Sequence, residues 1–278
     1  MLQIKSKQSI VFLMFSVKYL IYFSRQLLYN GHMKRILLTI EYDGANYSGW
    51  QKQPNVKTIQ GEIEHAIETS IGQTVEVFGS GRTDAGVHAL AQKAHFDLNV
   101  PVPVSKLPDI LNNVLPPDIA IKDAQQVPDD FHARFSQKKK IYRYKIYNSP
   151  NKNAFLANRA AQIKQQLDVV CMQDIAQYLV GEHDFRGFCS AQTCTENFIR
   201  TIFSIDVARD GDFIKIDVCG NGFLYNMVRI IVGTLVDFSL GKLTKDDVLL
   251  ALKTGDRARA GQTMPPQGLY LKDAIYQI

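Results

Sequence analysis

The sequence predicts an α+β fold built on a mixed, largely antiparallel sheet. In segments such as 141–147 (IYRYKIY), apolar and polar residues alternate, and this period of two is typical of a half-buried β-strand. In segments such as 59–71, isoleucine recurs every four positions, which is typical of one face of an amphipathic helix. Several predicted strands follow one another too closely for a helix to connect them as parallel neighbours, so antiparallel pairing is expected.

The elements of the first half follow in chain order. Residues 36–42 (ILLTIEY) are rich in β-forming residues and end at the turn-forming pair Asp43-Gly44, so they predict a strand. The isoleucine repeat that starts at Ile59 predicts a helix, with Thr58 as its N-cap. Alternation, and prolines that mark turns, predict the rest: strands at 75–78 and 94–98, a short helix near 105–113, and strands at 119–127 and 141–147.

The second half has a similar order of elements. A broad apolar stripe predicts a helix over about 224–240, with Arg229 rotated away from the centre of the stripe. Thr244 and Asp247 have the spacing of a capping box and predict the start of a last helix. The other predicted elements are a helix near 168–180, strands at 201–209 and 212–219, and a closing strand at 268–276.

The loop-like stretch 148–153 (NSPNKN) separates the two halves, so the predicted domains are 33–147 and 148–278. Residues 1–32 are a predicted extension outside the fold. They begin with lysines before an apolar run, as in a signal peptide, but the run is interrupted, too short to span a bilayer and without an A-x-A-like cleavage site. Because Met33 opens a strand at once, translation is expected to start there.

Composition limits the classes of function. The formal net charge is +5, but residues 1–32 hold four basic side chains and no acid, which leaves 28 basic against 27 acidic residues. Whole-chain charge therefore does not indicate nucleic-acid binding, and any such prediction depends on local clusters. The cysteines form no C-x-x-C pair and have no histidine at zinc-ligand spacing, so reduced thiols and no structural metal are expected. They are Cys171, Cys189, Cys194 and Cys219.

The stretch 79–97, GSGRTDAGVHALAQKAHFD, holds the main candidate for chemistry. Arg82 and Asp84 are alternate residues on a glycine-rich loop between two predicted strands, so in an extended segment they point to the same side. An ionised Asp84 can act as a nucleophile or stabilise an oxocarbenium-like centre, but an aspartate here can also cap the backbone N–H groups of a turn. His88 and His95 are seven residues apart without a third ligand, so structural hydrogen bonds are expected for both.

Basic residues cluster in 134–145 (RFSQKKKIYRYK), with no acid among them. Interleaved with tyrosines, they suit phosphate contacts and base stacking. A strand edge that lysines protect from aggregation has the same composition, and this stretch alone does not separate the two interpretations. The basic residues are Arg134, Lys138, Lys139, Lys140, Arg143 and Lys145.

Several separated blocks carry a family resemblance. In chain order they are MKRILLTIEYDGANYSGWQKQ, GRTDAGVHA, VPDDFHARFSQKKKIYRYKIYN, GEHDF, NGFLYNMVRIIVG and GLYL. GRTDAGVHA is similar to the signature loop of the bacterial tRNA pseudouridine synthase A family, and the other blocks resemble that family's segments in the same order. The resemblance covers the chain from about residue 33 to the end and leaves 1–32 outside.

The resemblance implies a pseudouridine-synthase fold, with two α/β halves around the central sheet and the active site in the cleft between them. It implies an isomerase that converts uridine to pseudouridine in the tRNA anticodon stem-loop, at the expected positions 38–40, without cofactor or metal. It also implies a cytoplasmic homodimer with no membrane partner. A non-catalytic RNA-binding or tRNA-folding protein of the same fold is the alternative. A hydrolase using Asp84 and His88 lacks a supporting nucleophile or metal motif.

The same resemblance assigns roles to four residues. Asp84 is the catalytic carboxylate, and Arg229 is the ion-pair partner that holds it ionised. Tyr142 stacks on the base and assists removal of the C5 proton, and Arg82 fills the gap left by the flipped-out base. From the residues alone, Tyr142 also fits a core aromatic and Arg229 a solvated helix arginine. The expected RNA contacts are Arg134, Lys138, Lys139, Lys140 and Arg143.

Overall fold

The described part of the chain forms one large sheet with helices packed against it. The computed structural model describes residues 33–191 and 195–277, so the predicted extension 1–32 and Cys194 lie outside the described residues. The strands are β1 (Lys34–Tyr42), β2 (Phe78–Gly79), β3 (His88–Leu98), β4 (Ile119–Val127), β5 (Gln137–Asn148), β6 (Ala161–Ile163), β7 (Gly181–Asp184), β8 (Ile199–Asp210), β9 (Phe213–Gly220) and β10 (Leu269–Tyr276). The α-helices are α1 (Ile59–Ile71), α2 (Leu107–Asn112), α3 (Val169–Ala176), α4 (Met227–Ser239) and α5 (Lys245–Thr254).

The strands are ordered β4-β1-β3-β10-β5-β9-β8-β7, with β2 paired to β3 and β6 paired to β5. β10 runs parallel to β3 and β6 runs parallel to β5, whereas the other pairs are antiparallel. This arrangement confirms the predicted α+β class and the mixed, largely antiparallel sheet. Because β10 lies between β3 and β5, the sheet continues across the predicted boundary at 148, and the division at that point stays a prediction.

The core lies between the sheet and the helices. Ile36, Leu38 and Ile40 of β1 are fully buried, as is the isoleucine face of α1 that the sequence predicted. The α4 helix is buried over most of its length, including Ile231 and Leu235. Burying one such aliphatic side chain contributes about 1.5–3 kcal/mol relative to leaving it in water, so these faces fix the two helices against the sheet.

Two helix starts have the predicted capping. The Thr58 hydroxyl accepts a hydrogen bond from the Gly61 backbone N–H at the start of α1. At the start of α5, the Thr244 hydroxyl accepts from the Asp247 N–H, and the Asp247 carboxylate accepts from the Thr244 N–H. Each pairing satisfies backbone donors that have no partner within the helix.

Some local features differ from the sequence predictions, including β3, which begins at His88 and not at residue 94. The predicted strand at 75–78 is limited to β2, because the Val77 backbone N–H donates to the Glu64 carboxylate instead of to a neighbouring strand. The predicted helix at 224–240 begins only at Met227. Asn226 has a left-handed backbone (φ 60°), which a right-handed α-helix does not include, so residues 224–226 lie outside the helix. The strands β6 and β7 were not predicted, since three or four residues are too few to display a period of two.

Candidate active site

The loop that carries Asp84 joins β2 to β3 and is fixed to the surrounding structure. Backbone hydrogen bonds run from Ser80 N–H to the Lys93 carbonyl (2.7 Å) and from Trp50 N–H to the Thr83 carbonyl (3.0 Å). The Thr83 hydroxyl also lies 2.8 Å from the buried Tyr42 hydroxyl. These bonds on both sides of Asp84 hold the loop as a rigid platform for its carboxylate.

A glycine in the neighbouring turn allows this close packing. Gly49 has φ +92°, and a Cβ at that position would lie 2.6 Å from the Thr83 carbonyl oxygen. Any larger residue would be strained in its own backbone and would push the loop that carries Asp84. The buried amide of Gln92 supports the loop from the other side, since it accepts from the Ser80 hydroxyl (2.7 Å) and donates to the Gly81 carbonyl (2.8 Å).

The Asp84 carboxylate is not a turn cap. In the described part of the chain no backbone N–H donates to it, whereas the Arg229 guanidinium lies 3.5 Å from its Oδ2 atom. The side chain of Asp84 is 37% exposed and that of Arg229 is 15% exposed, so the carboxylate is the more accessible of the two. The structure thus removes the turn-cap interpretation that the sequence left open.

The Arg229 guanidinium donates hydrogen bonds to two neutral oxygen atoms. Its Nε–H donates to the Met264 carbonyl (2.6 Å), and an Nη1 donor contacts the Asn226 side-chain oxygen (2.6 Å). Asn226 in turn donates its amide to the Ser190 hydroxyl (2.9 Å). Because Arg229 is anchored on the first turn of α4, the guanidinium faces Asp84 and is not a solvated surface charge.

The pKa of the Asp84 carboxyl shifts in the direction that burial favours, and not in the direction that Arg229 favours. Desolvation raises this pKa above its ordinary value, and the charge and hydrogen bonding of Arg229 oppose the shift without reversing it. Arg229 thus favours the ionised carboxylate, as the resemblance implied, although its effect is smaller than that of burial. The ion pair is longer than a well-formed hydrogen bond, and such contacts often tighten only when substrate binds.

Tyr142 lies on the face of β5 that turns towards this loop. It is 8% exposed and meets Phe223 edge-on, with ring centroids 5.1 Å apart. Burial raises the pKa of its hydroxyl, and the negative charge of Asp84 raises it further, so the group remains a neutral phenol. Among the described residues none forms a hydrogen bond to this hydroxyl. It is therefore both a core aromatic and a polar group left available to a ligand.

Asp84, Arg229 and Tyr142 line one cavity of about 980 Å³. Arg82 lies at its exposed edge, where its Nε–H donates to the Gln51 side chain (3.1 Å). The cavity thus brings together all four residues for which the sequence implied catalytic or substrate-binding roles. Its volume is within the range of small-molecule sites and is large enough for a nucleoside.

The five expected RNA contacts are not equivalent in the structure. Arg134 and Lys140 line the cavity, whereas Lys138 and Lys139 are exposed near the start of β5 and do not. Arg143 lies on the opposite face of β5 from Tyr142, with its guanidinium in a two-bond pair with Asp217 (2.7 Å each). The structure gives Arg143 a role in holding β5 to β9, and its contact with RNA stays a prediction.

Lys140 is distinguished from its neighbours by burial. Desolvation, and to a smaller extent the positive charge of Arg134, lower the pKa of its ammonium group to about 8. A Cβ at Gly81 would lie 2.8 Å from the Lys140 Nζ atom and 4.0 Å from the Tyr142 hydroxyl oxygen. Lys140 is therefore a cation directly beside the loop that carries Asp84, and no described residue forms an ion pair with it.

The two histidines of the loop region have structural hydrogen bonds, as predicted. The His88 Nδ1 atom accepts from the Gly44 N–H (3.0 Å), and the His95 Nδ1 atom accepts from the Ala133 N–H (3.2 Å). Within residues 33–191 and 195–277, no group of three or more His, Cys, Asp or Glu side chains has an arrangement that could hold a metal ion. In the same residues, no helix is long and apolar enough to cross a membrane.

Sequence reasoning did not identify Asn226 and Gln92 as parts of this site. The Asn226 backbone conformation is unusual for any residue other than glycine, and asparagine before a helix is a weak signal for it. Gln92 is fully buried in a strand, where a polar residue normally needs a specific partner. Neither signal identifies the arginine or the loop that these side chains position.

A carboxylate faces an arginine in a cavity that a buried tyrosine and cationic residues also line, and this arrangement defines a candidate active site on an α+β fold. The family model described as tRNA pseudouridine synthase matches residues 38–136 and 175–277. The chain belongs to the tRNA pseudouridine synthase family.

Individual relatives agree with this assignment. A protein of Caldicellulosiruptor bescii named tRNA pseudouridine synthase A is 51% identical over 244 residues, covering 88% of this chain and 100% of the relative. Relatives with the same name from Caldicellulosiruptor saccharolyticus and Acetivibrio thermocellus are 50% and 46% identical, with the same coverage. Apart from these relatives, a chain in a crystal structure of a Cbf5-Nop10-Gar1 complex aligns at a TM-score of 0.33 and 12% identity, covering 84% of this chain and 57% of that chain, and the family assignment does not rest on it.

Proposed function

We propose that this chain isomerises uridine to pseudouridine in the anticodon stem-loop of tRNA, at positions 38–40, with Asp84 as the essential carboxylate. The observation that carries the proposal is the placement of Asp84. Its carboxylate is accessible to the cavity and faces Arg229 rather than the backbone of its own loop. We place the enzyme in the cytoplasm as a homodimer that needs no cofactor.

The reaction requires groups of the kind that line this cavity. The N1–C1′ bond of uridine breaks, the uracil turns, and a C5–C1′ bond forms. The C5 proton leaves and N1 gains a proton, so the atoms of substrate and product are the same. A carboxylate near C1′ serves either by attacking that carbon or by stabilising the positive charge that develops as the base departs.

Tyr142 and Arg229 support this chemistry in different ways. The neutral Tyr142 hydroxyl has no described protein partner and is positioned for proton transfer or hydrogen bonding to the detached uracil. Arg229 opposes the effect of burial on the pKa of Asp84 and so favours the charged carboxylate. Packing on Phe223 holds Tyr142, and hydrogen bonds hold Arg229, before substrate arrives, which lowers the reorganisation that the reaction needs.

Base flipping gives the substrate access to the cavity. A paired or stacked uridine reaches Asp84 only after it is turned out of the helix, at a cost of a few kcal/mol. We assign to Arg82 the role of occupying the space left behind, and its position at the exposed edge of the cavity supports this role. Arg134 and Lys140 provide the cationic lining for phosphates, with Lys138 and Lys139 on the exposed approach.

Mapping of the modified nucleotide tests this proposal. Unmodified tRNA transcripts are incubated with the full chain, and pseudouridine is located by chemical labelling and sequencing. Pseudouridine at positions 38–40 is expected. A product in another arm of the tRNA would contradict the proposed target. Tight tRNA binding without any product would favour a non-catalytic RNA-binding role.

A further inference from the structure

Exposed aromatic rings stand at the mouth of the cavity. Phe135 is 75% exposed and Phe78 is 39% exposed, yet both line the same cavity as Asp84, as does His132. We call Phe78, His132 and Phe135 the aromatic rim. Large apolar side chains left in water beside a functional cavity indicate a surface that is covered when a ligand binds.

The rings of the aromatic rim form a continuous series that starts in the core. Buried His95 stacks on Phe78, with centroids 5.1 Å apart and planes at 22°. His132 lies 5.6 Å from Phe78 and 4.4 Å from Phe135, centroid to centroid. Phe135 is thus the outermost ring of the series, and it packs against the His132 ring.

The turn that presents Phe135 is fixed by its own hydrogen bonds. The N–H groups of Phe135 and Ser136 both donate to the His132 carbonyl (3.0 and 2.8 Å). The His132 N–H donates to the Ser136 hydroxyl (2.9 Å), and the Arg134 N–H donates to the His132 Nδ1 atom (3.1 Å). Little conformational entropy is therefore lost when a ligand stacks on this turn.

Side chains from two strands anchor the same turn to the sheet. The Arg35 guanidinium donates to the Phe131 carbonyl (2.9 Å), and the Tyr276 hydroxyl donates to the Ala133 carbonyl (2.6 Å). Phe131 and Ala133 are themselves buried in a small apolar cluster. The exposure of Phe135 is consequently a property of a rigid element and not of a loose loop.

The charges around the aromatic rim are those of a nucleic-acid site. The Arg134 guanidinium lies 5.8 Å from the centre of the Phe135 ring, and Lys140 lines the cavity further in. Aromatic rings beside cations are how proteins hold unpaired nucleotides, by base stacking together with phosphate attraction.

We propose that the aromatic rim is a stacking site for an unpaired nucleobase next to the uridine that enters the cavity. This inference rests on the proposed function, because it takes the cavity as the place where the target nucleotide is held. The base stacks on the outer face of Phe135 and extends the ring series by one member. Since every base has a flat π-face, the site requires a base but reads little of its identity.

A comparison of protein variants and abasic RNAs tests the proposal. Affinity for a short anticodon stem-loop RNA is measured by fluorescence anisotropy, with all proteins in the Asp84→Asn background so that no substrate is converted. The protein variants are Phe135→Ala, Phe135→Leu, Phe135→Trp and Phe155→Ala. Phe155 is the matched control, because it is 89% exposed and does not line the cavity.

The proposal predicts that Phe135→Ala and Phe135→Leu weaken binding by about 10-fold, that Phe135→Trp retains it, and that Phe155→Ala has no effect. Replacing one nucleotide beside the target by an abasic site should weaken binding to the parent protein and erase the difference between parent and Phe135→Ala. Unchanged affinity of Phe135→Ala would overturn the proposal. So would a loss that is the same on every abasic RNA, or a change only in self-association measured by sedimentation.

Pseudouridine formation tests the proposed function, and the affinity comparison tests the stacking site, so the two proposals can fail independently. If the unsubstituted chain makes no pseudouridine in any tRNA, the isomerase proposal fails, whereas the affinity comparison can still be read from the binding data. If pseudouridine forms but Phe135→Ala binds as tightly as its parent, only the stacking site fails.

Discussion

The carboxylate of Asp84 and the guanidinium of Arg229 face each other at 3.5 Å, although they come from opposite halves of the chain. Asp84 is on the loop before β3, and Arg229 is on the first turn of α4. The arginine is already bonded to two neutral oxygens, so its position does not depend on the carboxylate. The pair is therefore a prearranged feature of the fold, and each of its supports can be tested.

Arg229→Ala should move the acid limb of the pH–rate profile to higher pH. Burial raises the pKa of Asp84 and Arg229 opposes that shift, so removing the arginine leaves burial unopposed. A carboxylate with a higher pKa is protonated over a wider range on the acid side, and activity falls there first. The profile of kcat/KM against pH measures this shift in the free enzyme. Arg259→Ala, an exposed arginine outside the cavity, should leave the profile in place.

Asn226→Gly and Asn226→Ala should separate the two roles of Asn226. Both remove the side-chain oxygen that holds Arg229, so both should lower kcat. Only alanine strains the left-handed backbone, at a cost of about 1–2 kcal/mol, so thermal unfolding should show a loss mainly for Asn226→Ala. Asn55 has a similar φ of 62° but does not line the cavity, and Asn55→Gly is the control with normal activity. Full activity in Asn226→Gly would show that the bond to Arg229 is dispensable.

Tyr142→Phe should retain RNA binding and lose most of the reaction rate. The substitution keeps the ring that packs on Phe223 and removes only the hydroxyl, for which no described residue is a hydrogen-bond partner. If that hydroxyl moves a proton during the reaction, its loss should lower the single-turnover rate by about 10²- to 10⁴-fold. An equal rate in Tyr142→Phe would limit the residue to packing and stacking.

Lys140 should make RNA affinity depend on pH near 8. Its pKa is lowered to about 8, chiefly by burial and then by the charge of Arg134, so the ammonium loses its charge as pH rises through that value. RNA binding should therefore weaken between about pH 7 and pH 9, because a neutral amine does not attract phosphate. Lys140→Arg should remove this dependence, while Lys138→Ala, on the exposed approach, should keep it. The same pH dependence in Lys140→Arg and wild type would assign it to another group.

Periodicity was sufficient where a feature depends on neighbours along the chain. The repeat of isoleucine in α1, the cap at Thr58 and the strand at 119–127 follow from local patterns, and the structure confirms them. Local pattern also identified the loop with Asp84, but not its role, because a turn cap and a catalytic carboxylate have the same sequence. Only the family resemblance linked it to Arg229, which is far away along the chain.

The features that sequence did not predict depend on distant contacts. Arg143 fitted a basic RNA-binding stretch, but it pairs with Asp217 on β9. The alternation of residues within each strand does not show that β5 and β9 are neighbours. The direction of the Asp84 pKa depends on how deeply the fold buries it, which no local pattern contains. The exposure of Phe135 is likewise set by where the turn meets the cavity, and the sequence shows only an apolar residue.

Release of tritium from tRNA labelled at uridine C5 tests the central claim most directly, because the C5–H bond must break when C5 bonds to C1′. The wild-type chain should release tritium, and Asp84→Asn, which keeps the shape of the side chain but not its charge, should be slower by about 10³-fold or more. Asp109→Asn, at an exposed position outside the cavity, should release it at the wild-type rate. Release by Asp84→Asn at the wild-type rate would contradict the assignment of Asp84 as the essential carboxylate.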